Sequence, residues 1–424
     1  MKPRIKILSL LTCIPMLAVS MTGCQPSVYE PTVKVNAKNL LTGTSLSSVS
    51  AAKPQEDFLC HMAEVSLSIL RKEGSTSPGE NWLFSPLSFM MALSLTANGA
   101  ENQTLSQMEA VLGDDRESLN RTMAYYREAL TSQSPKIQMA NSLWMKEDGF
   151  SPNEDFLRTA ANYYRPDIYS APFDDSTLSD INQWVSAKTE GQISKILDEI
   201  PEYAVLCLIN TLLFDGKWET PYEEHQVSSG KFFTEDGESY VVPMMNSIET
   251  QYLENDLATG FLKNYEGGKY AFGALLPRQA GSFGQFLSQL DGETLQTTIQ
   301  NSQHEEVCVL LPKFSFDDSL SLQEHLKALG MTDAFSGKDA DFSSLGTTDG
   351  PLYISQVLQK THIAVSETGT QASAATEVGF EVGGYIVETQ VVSLNRPFLF
   401  FIVEKESGAL LFLGTFSHPE DFNS

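Results

Sequence analysis

The residues best suited to chemistry in this chain do not assemble into a catalytic set. Histidines stand at 61, 225, 304, 325, 362 and 418, and His304-Glu305-Glu306 lacks the second histidine, one helical turn on, that a zinc protease motif needs. There is no G-x-S-x-G elbow, no G-x-x-x-x-G-K-[ST] phosphate loop and no G-x-G-x-x-G turn. The cysteines show no C-x-x-C and no zinc-like spacing with histidine, so no structural metal is expected. Cys60, Cys207 and Cys308 lie in apolar stretches and read as small buried hydrophobes. The one segment with an unusual pattern runs from Glu367 to Ile386. Read with period two, positions 370, 372, 374, 376, 378 and 380 are Thr, Ala, Ala, Thr, Val and Phe. Positions 371, 373, 375, 377, 379 and 381 are Gln, Ser, Ala, Glu, Gly and Glu. A loop kept in water has no need to gather its carboxylates on one side, whereas a strand with one face against a core does. The chemistry on offer is a change of conformation.

The surrounding elements must make that change possible. Phe58, Met62, Val65 and Ile69 step by helical spacing, with Asp57 as the expected N-cap. A second helix is expected from Ser85 as cap and Pro86 in its first turn, with Gly99 left-handed past its end. Strands are expected over 204–214, 270–276, 307–314, 352–358, 397–403 and 409–415, several of them apolar on both faces and therefore central in a buried sheet. Helices dominate the first half and strands the second, without βα alternation, which predicts a single α+β domain. A net charge of −26 excludes nucleic acid as a partner and offers no basic stripe for a polyanionic activator. The longest apolar run, residues 7–21, is broken by Pro15 and falls short of the ~20 residues that span a bilayer.

The beginning of the chain reads as an address. Lys2, Arg4 and Lys6 precede the apolar stretch, and Met21-Thr22-Gly23-Cys24 closes it, the order of a secretory signal. Small residues directly before a cysteine resemble the lipobox of bacterial lipoproteins, which implies that residues 1–23 are removed and Cys24 carries lipid. A protein anchored by lipid in the bacterial cell envelope, on the periplasmic or surface face of the outer membrane, is expected. Residues 24–56, rich in Ser, Thr, Pro and Ala, read as the lipidated cysteine and a flexible tether.

Glu367-Thr-Gly-Thr-Gln-Ala-Ser-Ala-Ala-Thr376 resembles the reactive-loop hinge of the serpins. Asn81-Trp-Leu-Phe-Ser-Pro-Leu-Ser88, Ala140-Asn-Ser-Leu-Trp144, Ile181-Asn-Gln-Trp-Val185, Asn210-Thr-Leu-Leu-Phe-Asp-Gly-Lys-Trp218, Leu311-Pro-Lys-Phe314 and Asn395-Arg-Pro-Phe398 resemble further motifs of that family, in family order. The resemblance implies a serpin domain over 57–424: an α+β fold of three β-sheets and eight or nine helices, with an exposed reactive loop at about 367–394. It implies an inhibitor rather than an enzyme, acting as a suicide substrate of serine, and also cysteine, endopeptidases, which it traps as covalent acyl-enzymes. The hinge is Glu367, Gly369, Thr370, Gln371, Ala372, Ser373, Ala374, Ala375 and Thr376. The family's usual loop length puts the cut at Gly383-Gly384, and other lengths put Val382, Tyr385 or Ile386 before it. Non-inhibitory members, acting as carriers or chaperones, often carry bulky, charged or proline residues in the hinge, whereas positions 370, 372 and 374 here are Thr, Ala and Ala. No Lys or Arg occurs between Lys360 and Arg396, which disfavours a trypsin-like target and favours elastase-, subtilisin- or chymotrypsin-like ones. Ser85, Ser88 and Asn210 match the family's polar shutter, Gln359 stands where a histidine is usual, and Trp218 matches the breach tryptophan. A monomer without cofactor is expected.

Overall fold

The computed structural model describes residues 27–130, 135–281, 283–370 and 390–419. Among them are nine α-helices: α1 (Glu56–Thr76), α2 (Pro86–Ala97), α3 (Asn102–Leu112), α4 (Arg116–Ala129), α5 (Glu154–Thr159), α6 (Asp175–Lys188), α7 (Phe283–Gln289), α8 (Gly292–Gln300) and α9 (Gln323–Ala328). The strands, in chain order, are β1 (Lys38–Asn39), β2 (Trp82–Phe84), β3 (Lys136–Lys146), β4 (Ser151–Pro152), β5 (Asp167–Ala171), β6 (Leu206–Lys217), β7 (Val227–Phe233), β8 (Ser239–Glu249), β9 (Gln251–Glu254) and β10 (Ala258–Asn264). They continue with β11 (Tyr270–Pro277), β12 (Val307–Pro312), β13 (Phe314–Ser321), β14 (Gly346–Thr347), β15 (Gln356–Val365), β16 (Gly369–Thr370), β17 (Gln390–Ser393), β18 (Phe398–Glu404) and β19 (Ala409–Phe416).

The main sheet has the order β1-β5-β3-β6-β16-β15-β13. A six-stranded sheet, β2-β19-β18-β11-β10-β9, and a four-stranded one, β17-β12-β8-β7, complete the three expected sheets, and β14 and β4 add a short two-stranded ladder. The strands read as apolar on both faces lie inside. Every residue of β11, β18 and β19 is buried, and Phe314 of β13 stacks on Phe416 of β19 with ring centroids 4.7 Å apart, joining the main and six-stranded sheets. Helix α2 is buried along its whole length against β19, β3 and β6, behind the centre of the main sheet.

Local details differ from the sequence expectation for identifiable reasons. Helix α1 starts at Glu56 with Gln55 as an uncapped N-cap, so Asp57 lies in the first turn, where its charge favours the helix dipole instead. Ser85 is at the N-cap of α2, but its hydroxyl donates to the Leu411 carbonyl rather than capping. Gly99 is not left-handed. It is needed because a Cβ there would sit 2.5 Å from Leu345 Cβ. The stretch 307–314 is two strands, divided at Lys313, and the strand expected over 352–358 is shifted to Gln356–Val365.

The largest correction concerns the tether. Residues 27–46 are not free: Val28 bridges Ser45, and Lys38–Asn39 pairs antiparallel with β5 as the edge of the main sheet. Tyr29 and Asn39 both donate to the buried Asp167, each at 2.8 Å, while Asn36 and the Ala37 amide donate to the buried Asp180 of α6. Val33, Val35 and Ala37 pack on the cluster around Trp144, Tyr169 and Trp184, and the residues between them face water. That alternation is the signature of a half-buried strand, present in the sequence although the compositional bias hides it.

Candidate functional site

The seam between β6 and β15 brings the predicted residues together. These neighbours run parallel and pair directly from Gln356 with Cys207 to Thr361 with Leu212. Above Thr361 they part, and β16 lies in the gap, antiparallel to both: Thr370 faces Val365 on one side and Gly216 on the other. The wedge needs glycine at 369, since a Cβ there would sit 2.1 Å from the Gly216 carbonyl.

Aromatic rings close the mouth of this gap. Trp218, 2% exposed, stacks on Tyr265 at 4.6 Å, and its Nε1 donates to the Ser366 carbonyl at 2.8 Å. The Trp218 amide donates to the Thr368 carbonyl and the Tyr222 amide to the Glu367 carbonyl, so the approach to the hinge is held along its backbone. The Tyr265 hydroxyl shares a 2.6 Å hydrogen bond with Thr370 Oγ1. Lys313 pairs with Glu367 at 2.7 Å; burial works the other way, but the lysine's hydrogen bond and charge hold the carboxyl below its usual range. The buried Lys263 pairs with Glu249 at 2.7 Å and lies over the Tyr222 and Trp218 rings.

Six residues below Val365 on β15, the seam is closed by polar side chains. Gln359 and Asn210 are register partners. Gln359 Nε2 donates to Asn210 Oδ1 at 2.8 Å and to the Ser85 carbonyl at 3.1 Å, and its Oε1 accepts from the Ser85 amide at 2.7 Å. Asn210 Nδ2 in turn donates to Ser88 Oγ and to Asn141 Oδ1. All five side chains are buried and satisfied. Asn141, the cross-strand partner of Asn210 on β3, is a member that sequence reasoning missed, although it sits inside the quoted Ala140–Trp144 motif. On β13, opposite Thr361, the buried Asp318 accepts from the Leu83 amide at 2.7 Å, and the Leu83 carbonyl accepts from Thr361 Oγ1. Burial raises the Asp318 carboxyl to about 6 despite the hydrogen bonds from Leu83 and Ser319.

Of the sequence-predicted residues, the structure therefore brings Ser85, Ser88, Asn210 and Gln359 into one network and Glu367, Gly369, Thr370 and Trp218 into another. Gln371, Ala372, Ser373, Ala374, Ala375, Thr376, the candidate cut at Val382, Gly383, Gly384, Tyr385 and Ile386, and Cys24 lie outside the described residues. The three described cysteines are free, with Cys207 buried and its thiol pushed up to about 12 by burial. Among the described residues no group of acids, histidines and cysteines could hold a metal ion, and no helix is long and apolar enough to cross a membrane.

The profile of the family described as Serpin (serine protease inhibitor) matches residues 61–419. An uncharacterized serpin-like protein of Methanosarcina mazei is 29% identical, over 98% of this chain and 98% of its own. The crystal structure of tengpin, a thermophilic serpin, in its native state superimposes with a TM-score of 0.86 at 42% identity, covering 91% of this chain and all of that one. Tengpin in its latent state gives a TM-score of 0.76 at 41% identity, covering 87% of this chain and all of that one.

Proposed function

This chain belongs to the serpin family, and from that premise we propose that it is an inhibitory serpin, a suicide substrate for serine and cysteine endopeptidases with small or apolar specificity. The observation that carries the proposal is the placement of Thr370. It lies between Val365 and Gly216, a pair with the same separation of 149 residues as the closed pair Gln359 and Asn210. A strand continuing antiparallel from Thr370 stays in register with both neighbours all the way down. Ala372 would meet Phe214 and Ile363, Ala374 would meet Leu212 and Thr361, and Thr376 would meet Asn210 and Gln359. Phe214, Ile363 and Leu212 belong to the main core, so the uncharged face of the segment is the one turned inward. The greater likeness to the native than to the latent tengpin structure agrees with a seam that is still closed.

The chemistry begins with the protease. Its nucleophile attacks a carbonyl within 382–386, the C–N bond breaks, and the protease's own general acid protonates the departing amine. The new ester or thioester links the protease to the segment that ends in the hinge. Freed at that end, the segment enters the seam from Thr370 downward, exchanging solvated peptide groups for ladder hydrogen bonds on both sides and carrying the protease with it. Reactive-loop insertion of this kind is a standing example of strand addition. Strand β17 pairs with β12 after the loop, which gives the cut a fixed side to spring from. In the same reading Cys24 bears the lipid that anchors the protein in the bacterial envelope, and the target reaches it from outside the cytoplasm.

The test is to incubate residues 25–424 separately with elastase, chymotrypsin, subtilisin, papain and trypsin. Denaturing gels and intact mass should show an adduct with one or more of the first four, and a released C-terminal peptide starting between 383 and 387. Cleavage in the loop by any of these enzymes with no adduct formed by any of them would reject inhibition in favour of a carrier or chaperone role.

A further inference from the structure

A cleft of about 970 Å³ lies away from the seam, at the upper end of the ~300–1,000 Å³ usual for small-molecule sites. It is bounded by the start of β3, the ends of α4 and α6, and Thr32–Lys34 of the N-terminal segment. Its charge is the reverse of the molecule's. Lys34, Arg127, Arg165 and Lys188 line it, in a chain with 54 acidic against 28 basic residues. Its two lining carboxylates are each paired with a lysine, Asp167 with the lining Lys188 at 2.9 Å and Glu190 with Lys136, which leaves Lys34 and the two arginines as the excess charge.

Two features single out the guanidiniums. Arg165 takes a left-handed backbone, φ 51°, where a side chain costs about 1 kcal/mol or more, and no acidic partner faces it among the described residues. Residues 131–134, next to the cleft in sequence, are Thr, Ser, Gln and Ser and contain no carboxylate. Arg127 donates to the Asn162 carbonyl and to Glu128, and its guanidinium is held below its usual range by burial and then by the charge of Arg165. Both guanidiniums line the one cleft: Arg127 is paired with the exposed Glu128 at 2.9 Å, whereas Arg165 has no ion pair among the described residues, which leaves it open to a further anion. Beneath them the floor is apolar, with Met91 and Leu130 buried and Ile137 and Met139 half-buried.

We propose that this cleft binds a single-chain anionic amphiphile, with a carboxylate head between Arg127 and Arg165 and an alkyl tail along Met91, Leu130, Ile137 and Met139. Neither the head nor the tail alone fits the whole site, since a free anion leaves the floor wet and a hydrocarbon leaves the guanidiniums repelling each other. The proposal does not rest on the inhibitor reading, and its test uses no protease.

Residues 25–424 are titrated with dodecanoate by calorimetry, and with dodecanol as the uncharged control. One saturable site is expected, with dodecanol at least tenfold weaker. Arg165→Asn keeps a residue tolerant of the left-handed backbone and should weaken dodecanoate tenfold or more, while Arg158→Asn, an exposed cation on α5, should leave it unchanged. Arg127→Gln is the second variant, with the same expected loss, and thermal melting establishes that each variant is folded. Unchanged affinity in folded Arg165→Asn or Arg127→Gln would overturn the proposal. So would equal binding of dodecanol, no saturation at millimolar dodecanoate, or binding seen only with heparin or with phosphatidylglycerol vesicles.

Discussion

The upper and lower halves of the β6–β15 seam are held by different physics. Above, a wedge of two residues is already in place and the closure is aromatic, Trp218 on Tyr265, with backbone hydrogen bonds along Ser366–Thr368. Below, no wedge is present and the closure is a buried network of amide and hydroxyl groups from Asn141, Asn210, Gln359, Ser85 and Ser88. Stacked rings tolerate small shifts, because burial is non-directional; amide networks do not, because each bond needs its angle. A strand arriving from above therefore meets a permissive gate and then an exacting one. The upper half sets where insertion starts and the lower half sets when it proceeds.

Breaking the upper half should cost most. Trp218→Ala removes the stack, the bond to Ser366 and the ring under Lys263, and should lower stability by about 3–5 kcal/mol in urea unfolding. Breaking the lower half comes next. Gln359→Leu leaves the Ser85 amide and Asn210 Oδ1 without partners, at roughly 3 kcal/mol for two buried orphans. The two variants separate the roles. Amide exchange should accelerate first at Ser366–Thr370 in Trp218→Ala and first at Gln356–Thr361 in Gln359→Leu, and the same order in both would mean that the seam opens as one unit.

The lower half was legible in the sequence and the edge of the sheet was not. Ser85, Ser88, Asn210 and Gln359 were legible through their resemblance to the serpin shutter, and the structure shows why such positions hold their residue types: each is a buried polar group that must find its partner. Asn141 was hidden because a lone asparagine in a strand reads equally well as a solvent-facing residue; only the register with Asn210 gives it a role. The 27–46 segment was hidden for a different reason. Its composition is that of a linker, and what fixes it is two buried aspartates, Asp167 and Asp180, more than a hundred residues away in sequence. Long-range capture of a polar segment leaves almost no local trace beyond the alternation of Val33, Val35 and Ala37.

A third prediction concerns pH and the lower half. Asp318 is raised by burial to about 6, with the negative charge of Glu73 adding to the shift, whereas an unfolded aspartate titrates near ~4. The folded state therefore holds a proton that the unfolded chain has lost, so the stabilising contribution is full below about pH 4 and disappears as pH rises through about 6. Stability of the wild type should fall across that window by about 3 kcal/mol from this group. Asp318→Asn should flatten the slope, whatever its absolute stability, since an amide has one acceptor for the two N–H groups of Leu83 and Ser319. Parallel slopes for the two proteins between pH 4 and 6.5 would show that Asp318 does not titrate in that range.

The smallest effect gives the sharpest view of the division. Tyr265→Phe keeps the stack on Trp218 and removes only the hydroxyl shared with Thr370, leaving the other side-chain bond to the wedge, from Ser366 Oγ to the Gly369 carbonyl, in place. Losing it should cost about 1 kcal/mol, with Thr370 Oγ1 left buried and unpaired. Because the bond belongs to the upper half alone, amide exchange at Gly369 and Thr370 should rise about fivefold while Gln359 and Asn210 stay as they were. If protection falls by the same factor at both ends, then the wedge and the polar network are one cooperative unit, and the distinction between a permissive and an exacting gate is lost. If it falls only at the wedge, the free energy holding the hinge is separable from that holding the sheet closed, and each can be tuned without the other.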